Sequence, residues 1–261
     1  MKDANTQKAA DQIYSAHESG NFCEPVRDLI GDTVEAAYAV QQINIQRWLE
    51  AGRRIVGRKI GLTSAAVQQQ LGVNQPDFGV LFADMEFSDG AELPFLAMHQ
   101  PKAEAEIALV LGRDVDEADV TYSELVGAID YIVPAVEIVG SRIKNWDIKF
   151  VDTVADNASS GLYVLGSPKR QLDGLDLALA GMVLSVNGRP VSYGAGAACL
   201  GHPLSAALWL ARTCAELGAG LKAGDVVLTG ALGPMAPVAP GDAIEAKISE
   251  IGSVRLSVSK G

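Results

Sequence analysis

A pair of glutamates beside a continuous apolar run constrains the fold of this chain more than any other feature. The run from Ile107 to Leu111 is closed by Gly112 and is typical of a buried strand. Glu104 and Glu106 lead into that run, and because alternate side chains of a strand share a face, both carboxylates are expected to point the same way. Carboxylates about 7 Å apart along a strand repel each other and are costly to bury unless a cation lies between them.

A third glutamate, Glu137, lies within a second apolar segment, residues 131–139. A Glu-x-Glu pair alone also fits the solvated face of an edge strand. Glu137 favours a metal site, because apolar residues flank it on both sides and no salt-bridge partner is close in sequence. Three converging carboxylates suit a hard divalent ion such as Mg²⁺ or Mn²⁺, which prefers oxygen ligands and leaves positions for water and substrate.

Composition limits the class of protein. The chain has 261 residues and a formal net charge of −11, which argues against nucleic acid as a partner. No apolar run has transmembrane length, and the first residues lack the apolar segment of a signal peptide, so no membrane association is expected. The three cysteines are too few and too unevenly spaced for a disulfide framework or a zinc site. We therefore expect a cytoplasmic protein.

The order of predicted elements indicates an α+β fold in which a helical lead-in precedes a strand-rich region. Helices are predicted over 5–19, 33–51, 64–71, 121–128 and 203–217. Strands are predicted over 55–61, 80–82, 104–111, 131–139, 161–165, 181–187, 225–229 and 243–257, the last with a break near Gly252. These elements predict a helical N-terminal subdomain over 1–54 and a β-rich catalytic domain over 55–261.

Two local signals refine this assignment. Asp32 is predicted to cap the second helix, with Glu35 three residues later completing a capping box. Asn187-Gly188 between two apolar runs predicts a tight hairpin turn.

Two charged residues stand in unusual surroundings. Lys59 lies on a short predicted strand between Gly57 and Gly61, where the glycines let a backbone or a ligand come close, although an exposed strand lysine fits as well. Asp77 follows Pro76 and fits a turn residue bonded to its own backbone as well as an acid or base.

Two polar or glycine-rich stretches complete the candidate regions. Residues 150–161 are predicted to form a polar loop that enters a strand, and such loops often contain functional residues. Residues 224–234 run from a strand into a Gly-rich loop whose N–H groups could bind an anion. That loop lacks the Lys-Ser/Thr pair of a phosphate-binding loop, which excludes nucleotide binding.

The stretches that carry a family resemblance follow one another along nearly the whole chain. They are 27–31, 35–38, 56–63, 69–79, 104–110, 134–143, 150–159, 200–203 and 228–235. In this order they resemble the 2-oxopent-4-enoate (2-hydroxypenta-2,4-dienoate) hydratases of the fumarylacetoacetase superfamily, which act in meta-cleavage pathways of aromatic degradation.

The resemblance implies roles for individual residues. The metal ligands would be Glu104, Glu106 and Glu137. The proton-transferring residues would be Lys59 and Asp77, with Asp84 in reserve. The substrate carboxylate would be held by Thr229 and by Ser159 or Ser160.

The resemblance also implies a fold and an assembly. The fold would be a mixed, rolled β-sheet sandwich with helices outside. The assembly would be a homo-oligomer, such as a pentamer or decamer, with a small dienoate as substrate and with the pathway aldolase as a further partner.

The implied reaction is metal-dependent addition of water to 2-hydroxypenta-2,4-dienoate, giving 4-hydroxy-2-oxopentanoate. A 2-oxo-3-enoate decarboxylase of the 4-oxalocrotonate type is the alternative within the superfamily, although residues 140–146 look more like the hydratase branch. A hydrolase of acylpyruvates would need a His–Glu pair for which no histidine here has matching neighbours. A non-catalytic scaffold that binds the aldolase is the alternative of another class, but it would not need three converging glutamates.

Overall fold

The computed structural model describes residues 2–64, 68–69 and 73–261. Its helices are α1 (Lys2–Ser19), α2 (Arg27–Ile30), α3 (Val34–Glu50), α4 (Tyr122–Ala128), α5 (Phe150–Ala155) and α6 (Pro203–Glu216). Its strands are β1 (Ile55–Gly61), β2 (Asp77–Phe82), β3 (Glu86–Ser88), β4 (Glu92–Leu93), β5 (Lys102–Leu111), β6 (Ile129–Val139), β7 (Leu162–Leu165), β8 (Gly181–Val186), β9 (Arg189–Ala195), β10 (Val226–Leu228), β11 (Ala236–Pro237), β12 (Ala243–Ile248) and β13 (Gly252–Val258). The helix predicted over 64–71 falls largely outside the described residues.

The strands of the described residues form two sheets. The larger has eight strands in the order β2-β1-β10-β5-β6-β7-β3, with β11 also paired to β5, and the smaller has five in the order β4-β13-β12-β8-β9. Apolar side chains from both sheets form the main core, among them Leu109, Ile132, Leu184 and Ile244. The predicted α+β fold with mixed, packed sheets is confirmed.

The helical lead-in packs against the strand-rich region through its own apolar cluster. Ala9 and Ile13 of α1 and Val40 of α3 lie with Phe150 and Val154 of α5 in this cluster. The division into residues 1–54 and 55–261 stays a prediction. Among the described helices, none is long and apolar enough to span a bilayer.

The stretch 150–161 is not the loop that the sequence predicted. It forms helix α5 and a 3-10 turn at Asn157–Ser159. All residues of α5 are buried, and its apolar side chains pack on α1 and α3. Tertiary packing therefore stabilises a helix whose polar sequence favours a loop.

Two element starts also differ from the predictions. Thr33, not Asp32, precedes the first residue of α3 and makes no side-chain cap bond, so Glu35 stands too early to complete a capping box. β2 begins at Asp77 rather than at residue 80, because Gly61 of β1 pairs with it in the antiparallel ladder. The predicted hairpin turn at Asn187-Gly188 is confirmed, since both residues have positive φ.

A buried carboxylate joins α5 to the helical lead-in. Asp152 Oδ1 accepts hydrogen bonds of 2.9 Å from the N–H groups of Val26 and Arg27. Its Oδ2 accepts from Arg27 Nη1 at 2.7 Å and from the Lys149 N–H at 2.9 Å. Since Asp152 is fully buried, these bonds fix the relative position of the two regions without competition from water.

Asp152→Asn is expected to lower the free energy of unfolding by about 3 kcal/mol, because the amide loses the ion pair and turns a donor toward other donors. Asp147→Asn is the matched control. Asp147 pairs with the same Arg27 but is 64% exposed, so its loss should cost less than about 0.5 kcal/mol. Urea denaturation of both variants measures the difference, and equal losses would contradict the assigned role.

Candidate active site

The register of β5 and β6 brings the three predicted metal ligands together. Glu104 pairs directly with Glu137 across the antiparallel ladder, and Glu106 lies two residues along β5 on the same face. The three side chains each offer one carboxylate oxygen within 4.8 Å of the others. Glu106 and Glu137 are fully buried and Glu104 is partly exposed to a cavity.

The electrostatics of this cluster favour binding of a cation. Burial raises the pKa of all three carboxyl groups, and repulsion between them adds to the effect for Glu106 and Glu137. The pKa of Glu137 rises to about 7. Glu106 Oε1 and both oxygens of Glu137 are buried and have no hydrogen-bond partner among the described residues.

These carboxylates fit a divalent metal ion. Glu106 Oε2 accepts a bond of 2.8 Å from the Gly230 N–H, which orients the group and leaves its other oxygen free. Hard oxygen donors held this close are the ligands that Mg²⁺ and Mn²⁺ prefer.

Lys59 of β1 faces the same cluster. Its Nζ lies 3.4 Å from Glu137 Oε2 and donates a hydrogen bond of 2.9 Å to the carbonyl of Ala158. Burial alone would lower the pKa of this ammonium, but the surrounding carboxylates, Glu137 first, more than offset that effect and raise it. Lys59 is therefore held in its charged form, and the interpretation of an exposed strand lysine is excluded.

The Asp77 side chain lines the same cavity because its neighbour Gly61 has no side chain to fill that space. A Cβ at Gly61 would lie 2.2 Å from Asp77 Oδ1 and 3.6 Å from Lys59 Nζ. The missing side chain leaves room for both groups on one side of β1. Burial raises the pKa of Asp77, and the charge of Lys59 opposes that rise. Neither carboxylate oxygen has a well-formed hydrogen bond to any residue that the structure describes.

The carbonyl that binds Lys59 belongs to a strained turn. Asn157, Ala158 and Ser159 have φ values of 53°, 52° and 54°, the left-handed region that residues other than glycine rarely adopt. The Asn157 side chain holds the turn to β2, since Oδ1 accepts from the Val80 N–H at 2.8 Å and Nδ2 donates to the Val80 carbonyl at 2.9 Å.

A buried arginine secures the same turn from the other side. Arg142 Nε donates to Asp156 Oδ1 at 2.6 Å, and its two terminal nitrogens donate to the carbonyls of Asp156 and Ser160. Since Arg142 and Asp156 are almost fully buried, each neutralises the charge of the other.

A cavity of about 630 Å³ connects these groups. Its polar end has Lys59, Asp77, Glu104, Thr153 and Ser159. The rest of its lining is mainly apolar and includes Leu62, Val139, Trp146, Ile148, Leu232 and Met235. One end can therefore bind charged or polar groups while the rest excludes water.

The predicted substrate-binding residues are placed differently from one another. Ser159 lines the cavity, and its Oγ lies 3.0 Å from Thr153 Oγ1. Ser160 Oγ donates to the Asn157 carbonyl, and Thr229 Oγ1 donates to the Ile107 carbonyl, so both hydroxyls are engaged inside the protein. Asp84, the reserve acid, is paired with Arg53 and does not line the cavity.

Sequence reasoning missed three groups at this site. Thr153 was recognised only as part of a polar stretch. Asn157 acts through a contact with Val80, far away in the chain, and through its own positive φ, and Arg142 acts through its contact with Asp156. The dense polar composition of residues 150–161 was the available signal, because a polar stretch buried by packing must be hydrogen-bonded.

The chain is similar to a known family and to several named proteins. Residues 56–259 match the model of the fumarylacetoacetate (FAA) hydrolase C-terminal family. A 2-keto-4-pentenoate hydratase of Paraburkholderia xenovorans (strain LB400) is 59% identical, with 98% of this chain and 95% of the relative covered. The TodF product hydratase of Pseudomonas putida (strain ATCC 700007 / DSM 6899 / JCM 31910 / BCRC 17059 / LMG 24140 / F1) is 60% identical, with 97% and 95% covered.

A solved structure has nearly the same backbone. The 4-oxalocrotonate decarboxylase of Pseudomonas putida G7, complexed with magnesium and adipate, gives a TM-score of 0.92 at 36% identity, with 99% of this chain and 98% of that chain covered. These matches confirm the fold and the resemblance to the hydratases predicted from the sequence.

The metal-free protein is expected to lose stability as pH rises from about 5 to about 7. The pKa of Glu137 is about 7 in the folded state against an ordinary value of 4.5. Between these values the folded protein holds a proton that the unfolded chain has released, so raising the pH works against folding. Urea unfolding in EDTA across this range measures the slope.

Glu137→Gln removes one titrating group and should reduce that slope, while saturating Mg²⁺ should stabilise the wild type most at the upper end of the range. Identical slopes in the wild type and the variant would show that Glu137 does not titrate in this range.

Proposed function

Because the chain belongs to the fumarylacetoacetate hydrolase family, we propose that it adds water to 2-hydroxypenta-2,4-dienoate, giving 4-hydroxy-2-oxopentanoate. The observation that carries the proposal is the meeting of three glutamates with Lys59 and Asp77 at one end of an otherwise apolar cavity. The names of the relatives at 59% and 60% identity support the same reaction. The enzyme is a hydro-lyase of a small 2-hydroxy-dienoate.

Glu104, Glu106 and Glu137 would hold the divalent cation, Mg²⁺ or Mn²⁺. When bound, such an ion supplies a Lewis acid that stabilises negative charge on the 2-oxygen of the substrate. The glutamates orient the ion, and the Gly230 N–H orients Glu106 in turn.

Lys59 and Asp77 are the proposed acid and base. The reaction removes the proton of the 2-hydroxyl, delivers a proton to C5, adds the hydroxyl of one water at C4 and delivers the other proton of that water to C3. Asp77 has a raised pKa and two oxygens without a well-formed hydrogen bond, so it can accept and return a proton. Lys59, kept charged by its neighbours, stabilises negative charge and donates hydrogen bonds into the same space.

The substrate carboxylate is proposed to lie near Ser159, whose hydroxyl lines the cavity. The hydroxyls of Ser160 and Thr229 bind the backbone carbonyls of Asn157 and Ile107, so these two residues would stabilise the backbone around the cavity. The apolar remainder of the cavity then surrounds the hydrocarbon end of the substrate.

The distribution of cationic residues along the cavity favours hydration over decarboxylation. The substrate of a 4-oxalocrotonate decarboxylase has a second carboxylate at its far end. Among the described residues that line the cavity, Lys59 is the only cation, and it lies beside the glutamates. Lys102 Nζ lies over the Trp146 ring, 4.1 Å from its centroid, and Lys102 does not line the cavity. An uncompensated carboxylate against an apolar wall is costly, which favours a dienoate whose far end is uncharged.

We further propose a cytoplasmic homo-oligomer, such as a pentamer or decamer, and association with the pathway aldolase. The three free cysteines fit a reducing compartment. Exposed apolar side chains, among them Leu96, Leu179 and Tyr193, offer surface for subunit contacts. Light scattering coupled to size exclusion, with and without the aldolase, tests both associations.

The activity is expected to require a divalent metal and both proposed proton-transferring groups. With Mg²⁺ or Mn²⁺, purified protein should consume the dienol absorbance of freshly generated 2-hydroxypenta-2,4-dienoate and form 4-hydroxy-2-oxopentanoate. Asp77→Asn and Lys59→Met should each lower kcat by about a hundredfold or more, because each removes a group needed for proton transfer or charge stabilisation. Glu106→Gln should abolish the metal-dependent rate.

Asp84→Asn is the control for Asp77, since Asp84 is an exposed carboxylate paired with Arg53, and its kcat should match the wild type. Carbon dioxide release from 2-oxohex-3-enedioate without dienol hydration would identify a decarboxylase instead. Turnover of neither substrate by folded, metal-bound protein would reject both reactions.

A further inference from the structure

Strand β2 is an edge strand, and its outer backbone groups are bound by side chains. β2 ends the larger sheet, with β1 on its inner side. In an antiparallel ladder, alternate residues turn their N–H and C=O groups away from the neighbouring strand. At this edge those residues are Phe78 and Val80, and Asn157 takes both groups of Val80.

The outer groups of Phe78 are taken by α3. The Phe78 carbonyl accepts a bond of 3.0 Å from Gln41 Nε2, and its N–H donates to the Tyr38 hydroxyl at 3.3 Å. The rings of Tyr38 and Phe78 also stack, with centroids 4.8 Å apart. Phe78, the residue directly after Asp77, thus makes three contacts with α3: two backbone hydrogen bonds and one ring stack.

Gln41 binds a second element through the same nitrogen. Gln41 Nε2 also donates at 3.0 Å to the carbonyl of Val154, in the last turn of α5, where helix carbonyls lack partners of their own. The residue before Val154 is Thr153, which lines the cavity with Asp77. The Gln41 amide therefore joins the backbone next to Asp77 to the backbone next to Thr153.

Gln41 carries a cost in stability as well as a gain. It is almost fully buried, and its Oε1 has no hydrogen-bond partner among the described residues. A buried acceptor without a partner costs about 1–3 kcal/mol, and the two bonds that Nε2 donates offset this cost by satisfying two carbonyls. An apolar side chain could not donate these two bonds, and so it could not hold β2 and α5 in the same relative position.

We propose that Gln41 is a positioning residue that holds β2 and α5 together so that Asp77 and Thr153 meet the substrate in the correct geometry. The inference rests on the role proposed above for Asp77. It gives the helical lead-in, which lies outside the family match over 56–259, a part in the reaction. Displacement of a reacting group by about 1 Å is enough to lower a rate by about a hundredfold.

Asn44, one turn further along α3, provides a matched control. It is an amide as deeply buried as Gln41, and its Nδ2 donates to the carbonyl of Ala10 at 3.1 Å. That bond joins α3 to α1 and does not reach β2 or α5. Gln41→Met and Asn44→Leu thus each remove a buried amide and keep a side chain of similar size.

The test compares the two variants by steady-state kinetics, Mn²⁺ binding and urea unfolding. Both should lose stability, but only Gln41→Met should lower kcat, by about tenfold to about a hundredfold, with KM and Mn²⁺ affinity close to those of the wild type. Equal kcat values in Gln41→Met and Asn44→Leu would overturn the inference. Should Gln41→Met fail to fold, Tyr38→Phe keeps the stacked ring, removes the hydroxyl and should lower kcat in the same sense.

A double-mutant cycle with Asp77→Asn separates a positioning role from a general one. If Gln41 acts through Asp77, adding Gln41→Met to Asp77→Asn should lower kcat by a much smaller factor than in the wild-type background, since only Thr153 is left to be positioned. A further fall as large as in the wild-type background would overturn the inference. Full activity of Asp77→Asn alone would instead overturn the proposed role of Asp77, so the two failures are distinguishable.

Discussion

The repulsion between three buried carboxylates is the constraint on which the site depends. Glu104 and Glu137 face each other on paired strands, and Glu106 adds a third charge on the same face. Water cannot screen these charges, and burial raises the pKa of each group. Such a cluster is stable only where cations and hydrogen-bond donors are provided around it, and the neighbouring elements supply Lys59 and the Gly230 N–H.

Lys59 creates a second requirement, because a buried ammonium must have its donors satisfied. One partner is Glu137 and another is the Ala158 carbonyl, which is presented by a left-handed turn. That turn costs conformational energy and is retained because Arg142 and Asn157 bind it on two sides. The strained backbone is therefore part of the same electrostatic arrangement as the glutamates.

The elements whose pattern is local could be predicted from the sequence. β1 has the predicted bounds, and the shared face of Glu104 and Glu106 follows from the period of a strand. The direct pairing of Glu104 with Glu137 depends on the register between β5 and β6, which neither segment encodes alone. Helix α5 was predicted as a loop because its order comes from packing on α1 and α3.

Residues that hold others in place gave no individual signal in the sequence. Gln41 lies in a helix where glutamine is an ordinary residue, and its partners are 37 and 113 positions away. The roles of Asn157 and Arg142 were recognisable only once the turn at Asn157–Ser159, which both residues stabilise, was known.

The arrangement also explains how one backbone can serve related reactions. Lys59, Asp77 and Glu104 line the polar end of the cavity, and Glu106 and Glu137 lie beside Glu104. Any 2-oxo or 2-hydroxy acid bound there would present the same adjacent oxygens. Under the proposed function, the apolar walls would contact the part of the substrate that differs between reactions. In this chain those walls include Val139, Trp146 and Ile148, and an apolar wall rejects a charged end group more strongly than it rewards a neutral one. The apolar side chains would thus select the substrate, while the carboxylates would supply the chemistry that all these reactions share.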